Sequence, residues 1–302
     1  MSPTASLTPG GAAGGDAGGL PEAWQPSERE LERRRVRRAM HRRSLAVATL
    51  TTVVVFGVLG AGLVSSPGWE TFQEYFFDPD HARDSFPAIW AGFWLNVKMF
   101  LIAEPLILVL GLALALARQA RAAWLTPLRL LAVLYTDLFR GIPTILLVVL
   151  LAFGVPALQL QGVTNDRFFW ALVALVLSYG AYVAEVFRAG IESVHPSQLA
   201  SAETLGLTRA QTMRHVVVPQ AVRRVVPPLL NDFVSLQKDT ALVSTVGIFD
   251  AVFAARDYGS YNFNDTPLVV VALFFVAITI PLARLTDHLQ KRVAERERAG
   301  AR

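Results

Sequence analysis

The chain of 302 residues has no cysteine, which excludes disulfides, thiolate nucleophiles and cysteine-ligated metals. Charge is scarce as well. Only 17% of residues are Asp, Glu, Lys or Arg, against 53% hydrophobic, and the mean hydropathy is +0.42. A soluble domain of this size is less apolar, so the balance indicates a polytopic membrane protein. The five histidines, His41, His81, His195, His215 and His288, lack ligand spacing, and no metal site is expected. GGAAGGDAGG near the start is not followed by Lys-Ser/Thr, so it cannot serve as a nucleotide-binding loop. No serine stands in a nucleophile-elbow context. The expectation is a chain that is not an enzyme, with no catalytic residue and no cofactor.

What the sequence does have is a series of long apolar runs. Residues 1–27 are Gly/Ala/Pro-rich and are expected to be disordered. ERELERRRVRRAMHRR, residues 28–43, is expected to be a helical flank resting on anionic membrane lipid. Leu45 to Val64 is a retained first span, ended by Ser65, Ser66, Pro67 and Gly68. Trp69, Phe72 and Phe76 then fall at helical spacing, as in a short headgroup-level helix. Further spans run from about Pro87 to Ala117, Leu128 to Phe153, Phe168 to Phe187, and Thr266 to Leu285. Val225 to Val252 is only half-apolar and carries Asn231, Asp232, Gln237, Lys238, Asp239 and Asp250. Lipid rejects such groups on an exposed helix, whereas a buried, cavity-lining helix broken near Thr240–Gly247 accepts them. It counts as the fifth of six crossings.

The expected fold class is an all-α polytopic membrane protein. Its expected parts are a tail at 1–43, an extra span and interfacial segment at 44–86, a core at 87–285 and a tail at 286–302. Of the 28 Lys and Arg residues, all but six fall in segments that an inside N-terminus places in the cytoplasm. Those six are Arg83, Arg167 and Arg256 outside, and Lys98, Arg140 and Lys238 within spans. This bias predicts both termini in the cytoplasm. It also assigns the basic excess to orientation rather than to nucleic acid.

Between the fourth and fifth spans lies a polar insert at about 190–222, also predicted to be cytoplasmic. Pro196 and Ser197 can start a helix at Gln198, with Gly206 as its left-handed cap. Thr208 and Gln211 match a capping box for a second helix, expected to run to about Val217 and stop before Pro219. On the first helix Leu199, Ala202 and Leu205 or Gly206 share one face, while Ala200 and Ser201 keep another face small.

Ionisable residues at membrane depth form the second group of candidates. Lys98 lies roughly 11 residues into its span, about 16 Å at the helical rise. Glu104 stands on a different face, next to Pro105 and a local kink. Asp137 with Arg140, and Glu185 with Arg188, have pairing distance along a helix. Lys238 and Asp239 adjoin the expected break. Two readings stand side by side: buried structural pairs and interfacial anchors, or a polar path lined by Lys98, Glu104, Asn231, Lys238 and Asp239. A charged or zwitterionic amino acid would need the second.

Gln198 to Gly206, followed by Val218-Pro219-Gln220-Ala221, resembles the EAA loop of binding-protein-dependent ABC transporter permeases. AEVFRAGIESV, PQAVRRVVPPLLNDFVSLQKDTALVS and LFRGIPT at Leu138–Thr144 resemble its polar amino acid branch, and the likeness runs from about Phe86 to Arg292. The resemblance implies the transmembrane subunit of an importer for polar amino acids, working by alternating access. It implies a cytoplasmic ATP-binding subunit, an extracytoplasmic solute-binding protein and a second permease subunit, in a homo- or heterodimer in the prokaryotic plasma membrane. The insert would then be the coupling helix, meeting the ATPase through Ser197, Gln198, Ala200, Ser201, Ala202, Glu203 and Gly206. Ala200 stands where the family has glutamate, Ser201 where it has alanine, and Ser197 where it commonly has glycine. Asn96, four residues after Gly92, stands where threonine is frequent. Leu45 to Val64 is an addition to a five-crossing core. An importer of another small polar solute, or an ATP-independent secondary transporter or channel, are the alternatives.

Overall fold

The computed structural model describes residues 28–120 and 122–300, and among them there is helix but no strand. The chain divides into two compact units, Met1–Trp69 and Glu70–Arg302.

In the first unit, α1 (Glu28–Val64) is one uninterrupted helix that joins the arginine-rich flank to the apolar run. Glu28 and Glu30 sit in its first turn, where the helix dipole favours negative charge. At its end Ser65 Oγ donates to Ala61 O at 2.6 Å and Ser66 Oγ to Leu63 O at 2.7 Å, satisfying carbonyls left open by the last turn. The tail expected at residues 1–27 lies outside the described residues.

In the second unit, α2 (Trp69–Phe76) leads to α3 (Pro79–Arg118), which is 40 residues long. The second span was expected from Pro87, but the helix starts eight residues earlier. Asp78 is the stronger start signal: its Oδ1 accepts from the Asp80 and His81 amides at 2.8 and 3.2 Å, with Pro79 just inside. Pro87 and Pro105 both lie within the helix.

The third span is not one helix. α4 (Thr126–Gly141) and α5 (Thr144–Ala157) are bent by 103° at the break between them. Ile142 precedes Pro143 and takes extended backbone, φ −94° and ψ 126°, because the proline ring excludes the helical region there. α6 (Arg167–Glu192) then packs along α3. Their approach depends on small residues. A side chain at Gly111 would meet Val183 Cγ1 at 2.5 Å, and one at Gly180 would meet Leu110 Cδ2 at 2.7 Å. Met99, Phe100, Ala103 and Ile107 of α3 form the core with Ala171, Ala174, Leu175 and Val183 of α6.

The insert follows as α7 (Pro196–Thr204) and α8 (Arg209–Thr212). α8 does not stop before Pro219. It passes through a π turn at Met213–Val217 straight into α9 (Val218–Asp239). The widened turn opens the ladder just where the proline ring would otherwise strike a carbonyl one turn back. α9 ends in a 3₁₀ segment, Thr240–Val246, and Gly247 at φ 77°. The break expected near Thr240–Gly247 is therefore present. α10 (Ala251–Asn262) and α11 (Thr266–Gly300) complete the chain.

Among the described residues, four helical stretches are long and apolar enough to cross a membrane, or five if α4–α5 is one bent span. α9 has the length, at 22 residues, but not the apolar composition.

Candidate functional site

The insert is built by local rules. His195, rather than Pro196 or Ser197, is the residue that opens α7; its Nδ1 accepts from the Ser197 amide at 3.2 Å. At the other end the Gly206 amide donates to Glu203 O at 2.9 Å and the Leu207 amide to Ala202 O at 3.1 Å, the two bonds of a Schellman motif. Gly206 has φ 74° with open space around it, so glycine is there for backbone conformation and not for room. The capping box is complete: Gln211 N donates to Thr208 Oγ1 at 3.4 Å and Thr208 N to Gln211 Oε1 at 2.8 Å. Ala202 is buried and Leu199 half-buried, as expected for one face. Leu205 is not on that face. The turn carries it outward, 80% exposed, and half-buried Leu207 folds back behind it. Ser197, Gln198, Ala200, Ser201, Glu203 and Gly206 are all exposed.

The ionisable candidates are not brought to one point. Lys98 is exposed on α3. Glu104, on another face, is half-buried. Asn231 Oδ1 accepts from Gln290 Nε2 of α11 at 3.3 Å. Asp239 accepts from the Tyr179 hydroxyl at 2.8 Å, and Lys238 beside it is exposed, at the last turn before the 3₁₀ segment.

Two clusters were only partly legible in the sequence. The first anchors the break. Asn96 Nδ2 donates to Thr240 O at 3.1 Å and to Asp250 Oδ2 at 3.0 Å, and its Oδ1 accepts from the Ala251 amide at 3.2 Å. Asp250 is fully buried, and its Oδ1 caps α10 by accepting from the Phe253 amide at 2.8 Å. Gly92, one turn before Asn96, makes room: a Cβ there would fall 2.4 Å from the Asp250 carbonyl carbon. The only sequence signal was the pair Gly92 and Asn96 at helical spacing.

The second cluster gathers the ends of three helices. Glu185 accepts from Arg118 Nη1 at 2.9 Å, pairs with Arg188, and has Arg140 at 3.7 Å. The Glu185–Arg188 pair was expected. The pairing of Asp137 with Arg140 was not what formed, because α4 ends beside α6 and presents Arg140 to Glu185 instead. Arg118 also donates to Thr136 Oγ1 at 2.9 Å.

A helical bundle with a span bent at Gly141-Ile142-Pro143, a break clamped by Asn96 and an exposed capped hairpin is that of a polytopic membrane protein, and its family makes it a transport component rather than an enzyme. The chain belongs to the binding-protein-dependent transport system inner membrane component family, which residues 107–295 match. It is accordingly a multi-pass protein of the bacterial inner membrane. It is 34% identical over 211 residues to the probable glutamine ABC transporter permease protein GlnM of Bacillus subtilis, covering 70% of this chain and 95% of that one. It is 30% identical over 208 residues to the arginine transport system permease protein ArtQ of the same organism, covering 68% and 93%. A solved structure described as an amino acid ABC transporter with histidines shares 29% identity and a TM-score of 0.63, over 68% of this chain and 94% of that chain. The inward-facing MetNI methionine ABC transporter, at 19% identity and a TM-score of 0.57, shares the fold over 69% and 97%.

Proposed function

We propose that this chain is the transmembrane subunit of an ATP-driven importer for polar amino acids, coupled to a cytoplasmic ATPase through the α7–α8 hairpin. The observation that carries the reading is the hairpin itself. Two capped helices meet at a left-handed glycine and leave Gln198, Ala200, Ser201 and Glu203 exposed outside the apolar spans. A polar, rigid element of that kind is suited to a protein partner. The relatives named for glutamine and arginine support the substrate class.

The mechanism follows from continuity. α8, the π turn and α9 form one helical path from the hairpin to Lys238, Asp239 and the 3₁₀ break. Closure of the ATPase dimer would push the hairpin, and α9 would carry that displacement past Asn231, along its length, to Asp239 and the break, with Glu104 of α3 as a further polar group of the path. Lys98, exposed at depth, would face the path shared with a second permease subunit. α9 is the fifth of six crossings in this reading, both termini are cytoplasmic, and an external binding protein delivers the solute. The parts keep the boundaries 1–43, 44–86, 87–285 and 286–302.

Co-purification with the ATPase subunit tests it. Gly206→Val forces a branched side chain into φ 74° and should abolish the complex while the bundle still folds. Uptake that continues with no ATPase partner would establish the secondary-transporter alternative instead.

A further inference from the structure

The turn between α10 and α11 is built as a rigid mount. Asn264 is buried; its Oδ1 accepts from the Thr266 amide at 2.9 Å and its Nδ2 donates to Glu74 O at 2.8 Å. The Asp265 amide donates to Tyr75 O at 2.9 Å, and Thr266 Oγ1 accepts from the Asp78 amide at 3.0 Å. At the start of α3, His81 Nδ1 and the Tyr258 hydroxyl of α10 are 3.0 Å apart. The turn and the α2–α3 link are therefore one structural unit, although nearly the whole second unit separates them in the chain.

On this mount two large rings are turned outward: Tyr261 is 79% exposed and Phe263 82%. Phe263 also holds φ 51° and ψ 42°, the left-handed region that disfavours a side chain of its size. The chain thus accepts a strained backbone to carry a ring away from its own core, which is how contact sites for other molecules are held. The surroundings are acidic. Segments 74–84 and 256–265 carry Glu74, Asp78, Asp80, Asp84, Asp257 and Asp265 against Arg83 and Arg256 alone. None of these forms an ion pair among the described residues. A membrane belt is the ordinary role of exposed Tyr and Phe. Here the carboxylates oppose it, because anionic headgroups collect on Lys and Arg, which they outnumber three to one.

We propose that Tyr261 and Phe263 anchor the docking surface for the external solute-binding protein, whose facing surface carries an apolar socket ringed by Lys and Arg. This rests on the importer reading, which puts the turn outside, one crossing of α9 away from the hairpin. A few aromatic anchors dominate the energy of most protein interfaces, while complementary charge at the rim sets the rate of encounter. The mount gives docking a consequence. Its bonds reach Asp78, the cap of α3, and α3 carries the Asn96 that clamps the break. A load on the turn is thereby applied to the helix that holds the break shut.

The test uses the full-length chain with its ATPase in lipid nanodiscs. The probe is the solute-binding protein whose addition to proteoliposomes gives ATP-driven uptake, with docking read by surface plasmon resonance. Tyr261→Ala and Phe263→Gly should each raise the Kd about tenfold. Phe263→Gly also relieves the left-handed backbone, so its thermal unfolding temperature should not fall, and weaker docking by an equally stable chain is a surface effect. Glu74→Gln with Asp84→Asn should slow association about threefold at low salt and leave it unchanged at high salt; a rate indifferent to these charges would contradict the basic partner face. Wild-type affinity in both ring variants would overturn the proposal and leave the importer reading standing. If no solute-binding protein supports uptake, that reading falls and the proposal with it. A bimane attached at Phe263→Cys that brominated lipid quenches equally with and without the docked protein would assign the ring to the membrane, and would overturn the proposal too.

Discussion

The hairpin at α7–α8 and the break at Thr240–Asp250 are both short departures from regular helix, but they are specified in opposite ways. The hairpin is exposed, and every bond that shapes it joins residues within five positions of each other, from Ala202 to Leu207 and from Thr208 to Gln211. The break is held at its buried ends by Asn96, whose partners Thr240 and Asp250 are 144 and 154 residues away. A locally determined turn can be displaced as a unit by a partner and keep its form. A turn pinned from a distant helix moves only when that helix moves. Under the proposed function the first would act as a lever that takes the push from the ATPase, and the second as a gate.

Substitutions can break this contrast, the buried side first. Gly92→Ala should have the largest effect, since its Cβ would meet the Asp250 backbone at 2.4 Å, and backbone cannot rotate away. The expected loss is about 3 kcal/mol or more, seen as a collapse in thermal unfolding temperature and in the yield of folded protein. Asn96→Leu comes next. It strips Asp250 and the Ala251 amide of a partner at once, for about 3 kcal/mol by the same measurement. Gly206→Ala should cost only about 1 kcal/mol, because its surroundings are open and only the left-handed backbone is penalised. Its loss should appear in ATPase association before it appears in stability. Ala200→Glu should leave stability within about 0.5 kcal/mol, as expected for an exposed helical site, and should keep or strengthen ATPase association. Complete loss of assembly would show that the hairpin is aligned wrongly with the EAA loop.

The same division decided what could be read from the sequence. The capping box at Thr208 and Gln211 and the cap at Gly206 are short-range, and both were legible by residue type alone. The start of α7 was misplaced by two residues because a histidine, an uncommon cap, opens it. Leu205 was put on the buried face because helical periodicity was extended through a residue that has already left the helix. The stop before Pro219 was expected because a π turn leaves no mark in composition. Gly141 and Pro143 were visible as an irregularity, but the angle of the bend depends on Ile142 and on what α4 and α5 pack against. The Asn96–Asp250 clamp and the gathering of Arg118 and Arg140 on Glu185 require knowing which distant helices meet, and no local pattern holds that.

The absence of cysteine makes the central claim directly measurable. A single Ala200→Cys variant carries one thiol, on the exposed face of α7, and Tyr261→Cys, at a site 79% exposed on α10, serves as the control. Maleimide labelling is followed with the permease alone and after addition of the ATPase subunit. The account predicts that Ala200→Cys labels freely alone and is protected in the complex, while Tyr261→Cys labels equally in both. Equal labelling of Ala200→Cys with and without a bound ATPase would contradict it.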